Sequence, residues 1–264
     1  MPESKNQNFN HLKIHSQFSI CEGAIKIDDL KQFAKDNKIR AYGLCDTSNL
    51  CGALEFAEKI SKVGTQPIIG TQINFKYADT VGLLPLYALN EEGYKRIIEL
   101  SSMSYLKNDN LSDPHLDFNE LLNITDGISL FSGTINGLFG QLFNKGKFSE
   151  IDELYLKLKL KYNDRFYIEI QRHGDQNENG FEKFNLAKSS MLEIPIIATN
   201  EVFYVNKEMY EAHDALICIG EKTYINDPNR IKLSNQHYLK SSDEMVELFK
   251  DLPEALENNF ALPY

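Results

Sequence analysis

The chain has 264 residues, 42% of them apolar and 25% charged, which suits one α/β barrel or two small domains with an ample core. No run of eighteen apolar residues occurs, so a membrane-spanning helix is excluded, and the opening MPESKNQNFNHLKIHS lacks the apolar h-region of a secretory signal. The formal net charge of −10, with no dense Lys/Arg stripe, excludes a surface that grips DNA by itself, because such a grip depends on clustered cations that release phosphate counterions.

In chain order, β-branched or apolar runs at 11–15, 41–46, 67–75, 82–89, 127–133, 165–171 and 195–199 predict strands. Helical periodicity fills the gaps at about 27–37, 50–63, 91–106, 150–162, 179–192 and 207–219. A last helix is predicted over about 242–258, with Ser241-Ser242-Asp243-Glu244 as its capping region. Alternating βα units predict a parallel sheet, and seven strands favour a closed barrel over an open doubly wound sheet, which periodicity alone leaves standing. Residues 107–118 read as a polar loop around Pro114, and 220–240 as an extended segment with a turn at Asp227-Pro228-Asn229. Cys21, Cys45, Cys51 and Cys218 show no C-x-x-C spacing, and suit buried thiols in a reducing cytoplasm better than disulfides or a zinc site.

In a parallel β/α barrel the chemistry gathers where strands end. Those ends supply His15, Asp46, Glu201 and His173, a rim that fits one hard cation better than a multinuclear centre. His115 and His237 fall in predicted loops away from it. The chain contains no phosphate-binding G-x-x-x-x-G-K-[ST] loop and no G-x-S-x-G elbow, and Gly133 with Gly137 do not make a dinucleotide fingerprint. With no Trp, and with Tyr and Phe spread along the chain, a base-stacking platform is not expected.

An ordered set of segments resembles a known family. His11-Leu-Lys-Ile-His15-Ser-Gln-Phe-Ser19 and Glu22-Gly23-Ala24-Ile25-Lys26-Ile27 come first. Asp46-Thr-Ser-Asn-Leu-Cys-Gly-Ala53, Pro67-Ile-Ile-Gly70, Asn90-Glu-Glu-Gly-Tyr94 and Ala198-Thr-Asn-Glu-Val-Phe-Tyr204 follow. The set ends with Ala212-His-Asp-Ala-Leu-Ile-Cys-Ile219, Asp227-Pro-Asn-Arg230, Glu244-Met-Val-Glu-Leu-Phe249 and Leu252-Pro-Glu-Ala-Leu-Glu257. Together they resemble the polymerase-and-histidinol-phosphatase (PHP) domain of the alpha subunits of bacterial DNA polymerase III. The resemblance implies a distorted seven-stranded β/α (TIM-like) barrel over the whole of 1–264. About 8–219 would be the barrel core, and about 220–264 an extended segment and C-terminal helix leading towards polymerase domains.

Metal-binding members of that family carry ligands that can be placed here one at a time. The H-x-H motif reads Lys13-Ile14-His15, and the acidic residue before the next glycine is Glu22, where Asp is usual. The motif commonly written T-D-H-G-N reads Cys45-Asp46-Thr47-Ser48-Asn49, so its histidine is Thr47. The glutamate after Ile-Ile-Gly is Gln72, the histidine opening the fourth strand is Leu83, and the Cys or His after the fifth is Thr134. The closing D-x-H is Glu201-Val202-Phe203. Only His15 keeps its usual type, while Glu22 and Glu201 keep a carboxylate.

The expectation is therefore a dismantled site with no catalytic residue, no metal and no cofactor in this stretch. Lys13 would put an ammonium where a cation would sit, paired with Glu22 or Glu201. His15, Glu22, Asp46 and Glu201 would line a residual pocket, with Asp46 capping a helix or holding a loop. His173 and His213 are expected to be structural, and Lys222, Arg230 and Lys232 to be a solvated basic segment. The resemblance implies a cytoplasmic scaffold that buttresses the polymerase domains of the same chain and docks a proofreading exonuclease subunit. DNA would be met only through the assembled holoenzyme, and no membrane would be a partner. It places the polymerase aspartates downstream, so the parent chain would be the Mg²⁺-dependent DNA-directed DNA polymerase and the 264-residue stretch inactive. Two other readings are an active pyrophosphatase or 3′→5′ exonuclease holding one Mg²⁺ or Mn²⁺, and a free-standing binding module, which a reading frame ending at Tyr264 would favour.

Overall fold

The computed structural model describes residues 9–108 and 113–264, so 109–112 of the predicted loop 107–118 lie outside the described residues. After an entry segment, residues 11–16, come α1 (Ile27–Asn37), β1 (Ala41–Thr47), α2 (Ala53–Ser61), β2 (Gln66–Tyr77), β3 (Thr80–Ala88) and α3 (Glu91–Leu106). Next are β4 (Leu116–Asp117), α4 (Phe118–Asn123), β5 (Ile128–Phe131), α5 (Leu138–Asn144), α6 (Phe148–Tyr162) and β6 (Phe166–Ile170). The chain finishes with α7 (Glu178–Leu192), β7 (Ile196–Ala198), α8 (Tyr210–Gly220), α9 (Ser242–Leu248) and α10 (Pro253–Ala261).

The sheet runs β1-β2-β3-β5-β6-β7, with the two-residue β4 attached to β2. The entry segment brings its ends together. Ile14 bridges Leu44 of β1 on one side and Val202, just past β7, on the other. Cys45 N donates to Ile14 O at 2.8 Å, and His15 N donates to Val202 O at 2.9 Å. The result is the expected distorted β/α barrel. A Cβ on Gly43 would lie 2.3 Å from Leu12 O, so only glycine lets β1 approach the entry segment this closely.

One strand runs against the expected parallel order. β3 is antiparallel to both β2 and β5. It follows β2 through a two-residue loop, Ala78-Asp79, with Tyr77 paired to Thr80 and Ala78 at φ 51°. A parallel pair needs a crossover of about a dozen residues, which this gap cannot supply. The predicted helix over 242–258 is likewise two helices. Pro253 lacks the N–H that a continuous helix would use and opens α10 instead. The predicted cap before α9 is a capping box: Glu244 N donates to Ser241 Oγ at 3.2 Å and Ser241 N to Glu244 Oε2 at 2.7 Å.

Helices cover the outside of the barrel because each carries one apolar stripe. In α1 this is Ile27, Leu30 and Ala34, in α6 Ile151, Leu154, Tyr155 and Leu158. Met245, Phe249, Ala255 and Leu256 of the C-terminal segment belong to the same buried cluster as Leu130 and Ile168, so that segment is part of the barrel's packing. Not all the cysteines are buried: Cys45 and Cys218 are, Cys21 is half-buried, and Cys51 is exposed in the turn before α2. No helix among the described residues is long and apolar enough to cross a membrane.

Candidate functional site

The strand ends on one side of the barrel open into a cavity of about 560 Å³ lined by Lys13, Glu22, Gln72, Leu83, Thr134, Glu201 and Phe203, among others. Leu83 reaches this rim because β3 runs backwards, which puts the start of β3 beside the end of β2, with Leu83 opposite Asn74. The loop after the entry segment brings Glu22 in, with Cys21 held at φ 62°.

Lys13 dominates the floor. Its side chain is 1% exposed, and its Nζ lies 3.1 Å from Glu201 Oε1 and 3.8 Å from Glu169 Oε1. Burial alone would pull the ammonium's pKa down, but the two carboxylates outweigh it and raise the value above the usual lysine range. Burial likewise works against charge on Glu201, and Lys13 with His15 overcomes it, holding that carboxyl well below the usual range. His15 Nε2 lies 3.2 Å from the same Glu201 oxygen, and its ring stacks on Phe203 with centroids 4.6 Å apart.

On the opposite wall Thr47 Oγ1 donates to Glu22 Oε2 at 2.6 Å, and Gln72 Nε2 donates to Thr47 Oγ1 at 3.0 Å. Thr47 and Gln72 thus hold Glu22 by neutral hydrogen bonds. The donor set around the cavity is two carboxylates already engaged, one imidazole and one ammonium. An ammonium at the centre repels a divalent cation, and Leu83 and Phe203 offer it no electron pair. The residues present do not fit a multinuclear metal centre.

The model of the PHP domain matches residues 11–173. The chain belongs to the PHP domain family. Among curated relatives this PHP domain is 35% identical over 269 residues to the DNA polymerase III subunit alpha of Caulobacter vibrioides, covering 98% of the chain and 23% of that protein. It is 36% identical to the subunit alpha of Rickettsia felis and 37% to that of Borreliella burgdorferi, covering 96% and 95% of the chain and 21% and 23% of those proteins. The PHP domain therefore spans less than a quarter of the length of these relatives. A solved structure assigned as a metal-dependent phosphoesterase of Bifidobacterium adolescentis aligns over 91% of this chain and 95% of that one. At 12% identity and a TM-score of 0.35, the likeness bears on neither fold nor activity.

Of the positions singled out in the sequence, Lys13, Glu22, Gln72, Leu83, Thr134, Glu201 and Phe203 line the cavity of the PHP barrel. His15 and Thr47 bond to Glu201 and Glu22 of that lining, and His173 lies outside it, as does Asp46. That residue is buried beside the cavity, where Ser16 N, Ser16 Oγ and Ser19 Oγ donate to its carboxylate at 2.7–2.8 Å, so it holds the entry loop and caps no helix. His213 Nε2 meets Glu22 O at 2.8 Å. Arg230 is no loose surface charge, since it forms two bonds to Asp214 at 2.6 and 2.7 Å.

Sequence reading missed Glu169. Its signal was a lone carboxylate inside the apolar strand Phe-Tyr-Ile-Glu-Ile, a position that demands a buried partner. It also missed that His237 returns to His173, their rings stacking at 4.0 Å.

Proposed function

We propose that this PHP domain is the N-terminal scaffold of a replicative DNA polymerase III alpha subunit, and that its barrel pocket is catalytically silent. It would support the polymerase domains of the same chain and dock a proofreading exonuclease subunit, meeting DNA only through the assembled enzyme in the cytoplasm. The observation that carries the silent pocket is the Lys13 ammonium between Glu201 and Glu169, where a metal-dependent phosphoesterase needs its cation. The alpha-subunit relatives over nearly the whole chain support the parent, a DNA-directed polymerase whose Mg²⁺ would lie in other domains. The acidic net charge of −10 favours a protein-docking module over one that holds DNA directly.

The test is phosphate release from pyrophosphate and nucleotide release from a 3′ end, each with Mg²⁺ and with Mn²⁺, for the wild-type chain and Glu201→Ala. The proposal expects no turnover above the buffer in either. Metal-dependent turnover that disappears in Glu201→Ala would sink it and establish the phosphoesterase. Docking is measured separately by titrating the exonuclease subunit into the chain by calorimetry; absence of binding would remove that part of the proposal.

A further inference from the structure

His173, Asp175 and His237 lie beside the pocket rather than in it. His173 follows β6, Asp175 is two residues on, and His237 comes from the segment between α8 and α9, where Phe203 N donates to His237 O at 2.9 Å. One nitrogen or oxygen of each side chain lies within 4.8 Å of the other two. Both histidines are 2% exposed, while the Asp175 side chain is 14% exposed, so solvent reaches the cluster from that side.

The surrounding hydrogen bonds hold both rings in place. Asn200 Nδ2 donates to Tyr238 O at 2.9 Å, and Asn200 Oδ1 accepts from Lys240 Nζ at 3.2 Å. Asn200 Oδ1 lies 3.1 Å from His173 Nε2, and Glu201 N donates to the same ring nitrogen at 3.2 Å. His173 Nδ1 is buried with no hydrogen-bond partner, 3.4 Å from Glu178 Oε1. His237 Nδ1 faces the Glu201 carbonyl at 3.1 Å, so it donates. In the neutral ring its Nε2 is then a lone pair turned to Asp175 Oδ2 at 3.2 Å. Asp175 Oδ1 is held in turn by Ser234 N at 3.1 Å.

The carboxylates of Asp175 and Glu178 thus stand beside the two stacked rings, negative charge that a cation bound among them would offset. With Nδ1 turned to the Glu201 carbonyl, His237 is oriented as metal-binding histidines usually are. The Lys240 charge opposes a cation here, but Asp175 and Glu178 outnumber it.

We propose that His173, Asp175 and His237 form a divalent-cation site that ties the segment around His237 to the end of β6. Two imidazoles and a carboxylate, with one side open to solvent, match the ligand preferences of Zn²⁺. The site uses none of the residues of the pocket above, so the two proposals stand or fall separately.

The chain is stripped with chelator, reloaded with Zn²⁺, desalted and analysed for metal and for melting temperature. The same is done for Asp175→Asn, His237→Gln and, as a control in the old pocket, Glu22→Gln. The expected result is one Zn²⁺ per chain with a raised melting temperature in the wild type and in Glu22→Gln. Affinity in each of the other two variants should fall by at least ~10-fold, the loss seen when even a supporting residue of a metal site is removed. If His237→Gln does not fold, the partly exposed Asp175→Asn decides. Sub-stoichiometric zinc in the wild type would overturn the proposal. Zinc retained in both site variants, or lost only in Glu22→Gln, would overturn it as well.

Discussion

Lys13 Nζ stands 3.1 Å from Glu201 Oε1 with both side chains almost out of reach of water. The pair spans the barrel's closure, because Lys13 lies on the entry segment and Glu201 just past β7, where Val202 N also donates to Lys13 O at 3.0 Å. Removing the cation leaves Glu201 and Glu169 buried without their counter-charge. Lys13→Met should therefore destabilise the fold by about 3–5 kcal/mol, the usual cost of breaking a buried pair from one side. Urea denaturation checks this. A loss below ~1 kcal/mol would place the pair among solvated surface bridges.

His11 predicts how stability depends on pH. It is fully buried with Nε2 2.8 Å from Lys240 O, and burial is the main reason its pKa falls from 6.5 to about 4. A folded-state value below the unfolded one means the unfolded chain takes up the proton first. The stabilisation is complete above pH 6.5 and is lost as pH falls towards 4, by roughly 3 kcal/mol at most. His173 shifts in the same direction. Glu201, held down mainly by Lys13 against its burial, adds a further loss in more acidic solution. Melting temperature should thus fall steadily between pH 6.5 and 4, and His11→Gln should shallow that slope. An unchanged slope in the variant would show that His11 does not carry the effect.

Asn259 fastens the C-terminal helix to the start of the barrel. Its Oδ1 accepts from Asn10 N at 2.9 Å, and its Nδ2 donates to Asn10 O at 2.8 Å and to Ala198 O at 2.9 Å. Asn259→Leu keeps the size and strands three buried backbone groups, each worth about 1–3 kcal/mol when left unpaired. A loss above ~2 kcal/mol, with early hydrogen exchange around residues 10 and 198, is the expected outcome. Unchanged exchange would mean that water replaces the amide.

Much of the barrel was legible because strands buried on both faces read as apolar runs between helical stripes, as in Ala41–Thr47. The direction of β3 was legible too, in the short gap between residues 75 and 82, but only when gap length is weighed with periodicity. The helix Leu138–Asn144 was missed because it starts at Gly137 with no capping side chain and is only two turns long. The convergence of Lys13, Glu22, Gln72 and Glu201 came from family resemblance; spacing alone could not unite residues so far apart in sequence. His237 carried no sequence signal. It reaches His173 because an isolated bridge, Tyr204 to Tyr238, folds an otherwise irregular segment over the rim.

If the pocket is a former metal site, its geometry should still be recoverable. Lys13, Gln72 and Phe203 line one cavity, and Thr47 bonds to Glu22 within it. Lys13→His, Thr47→His, Gln72→Glu and Phe203→His together replace the central ammonium and supply three imidazoles and a carboxylate around Glu22, His15 and Glu201. Combined with Asp175→Asn to disable the neighbouring cluster, this variant should gain at least one Mn²⁺ or Zn²⁺ that the Asp175→Asn parent lacks, measured by elemental analysis after desalting. Imidazole and carboxylate donors suit both ions, and loss of the positive charge removes the main repulsion. A folded variant that takes up no further metal would show that these positions do not converge as ligands, and the reading of the pocket as a dismantled centre would fall with it.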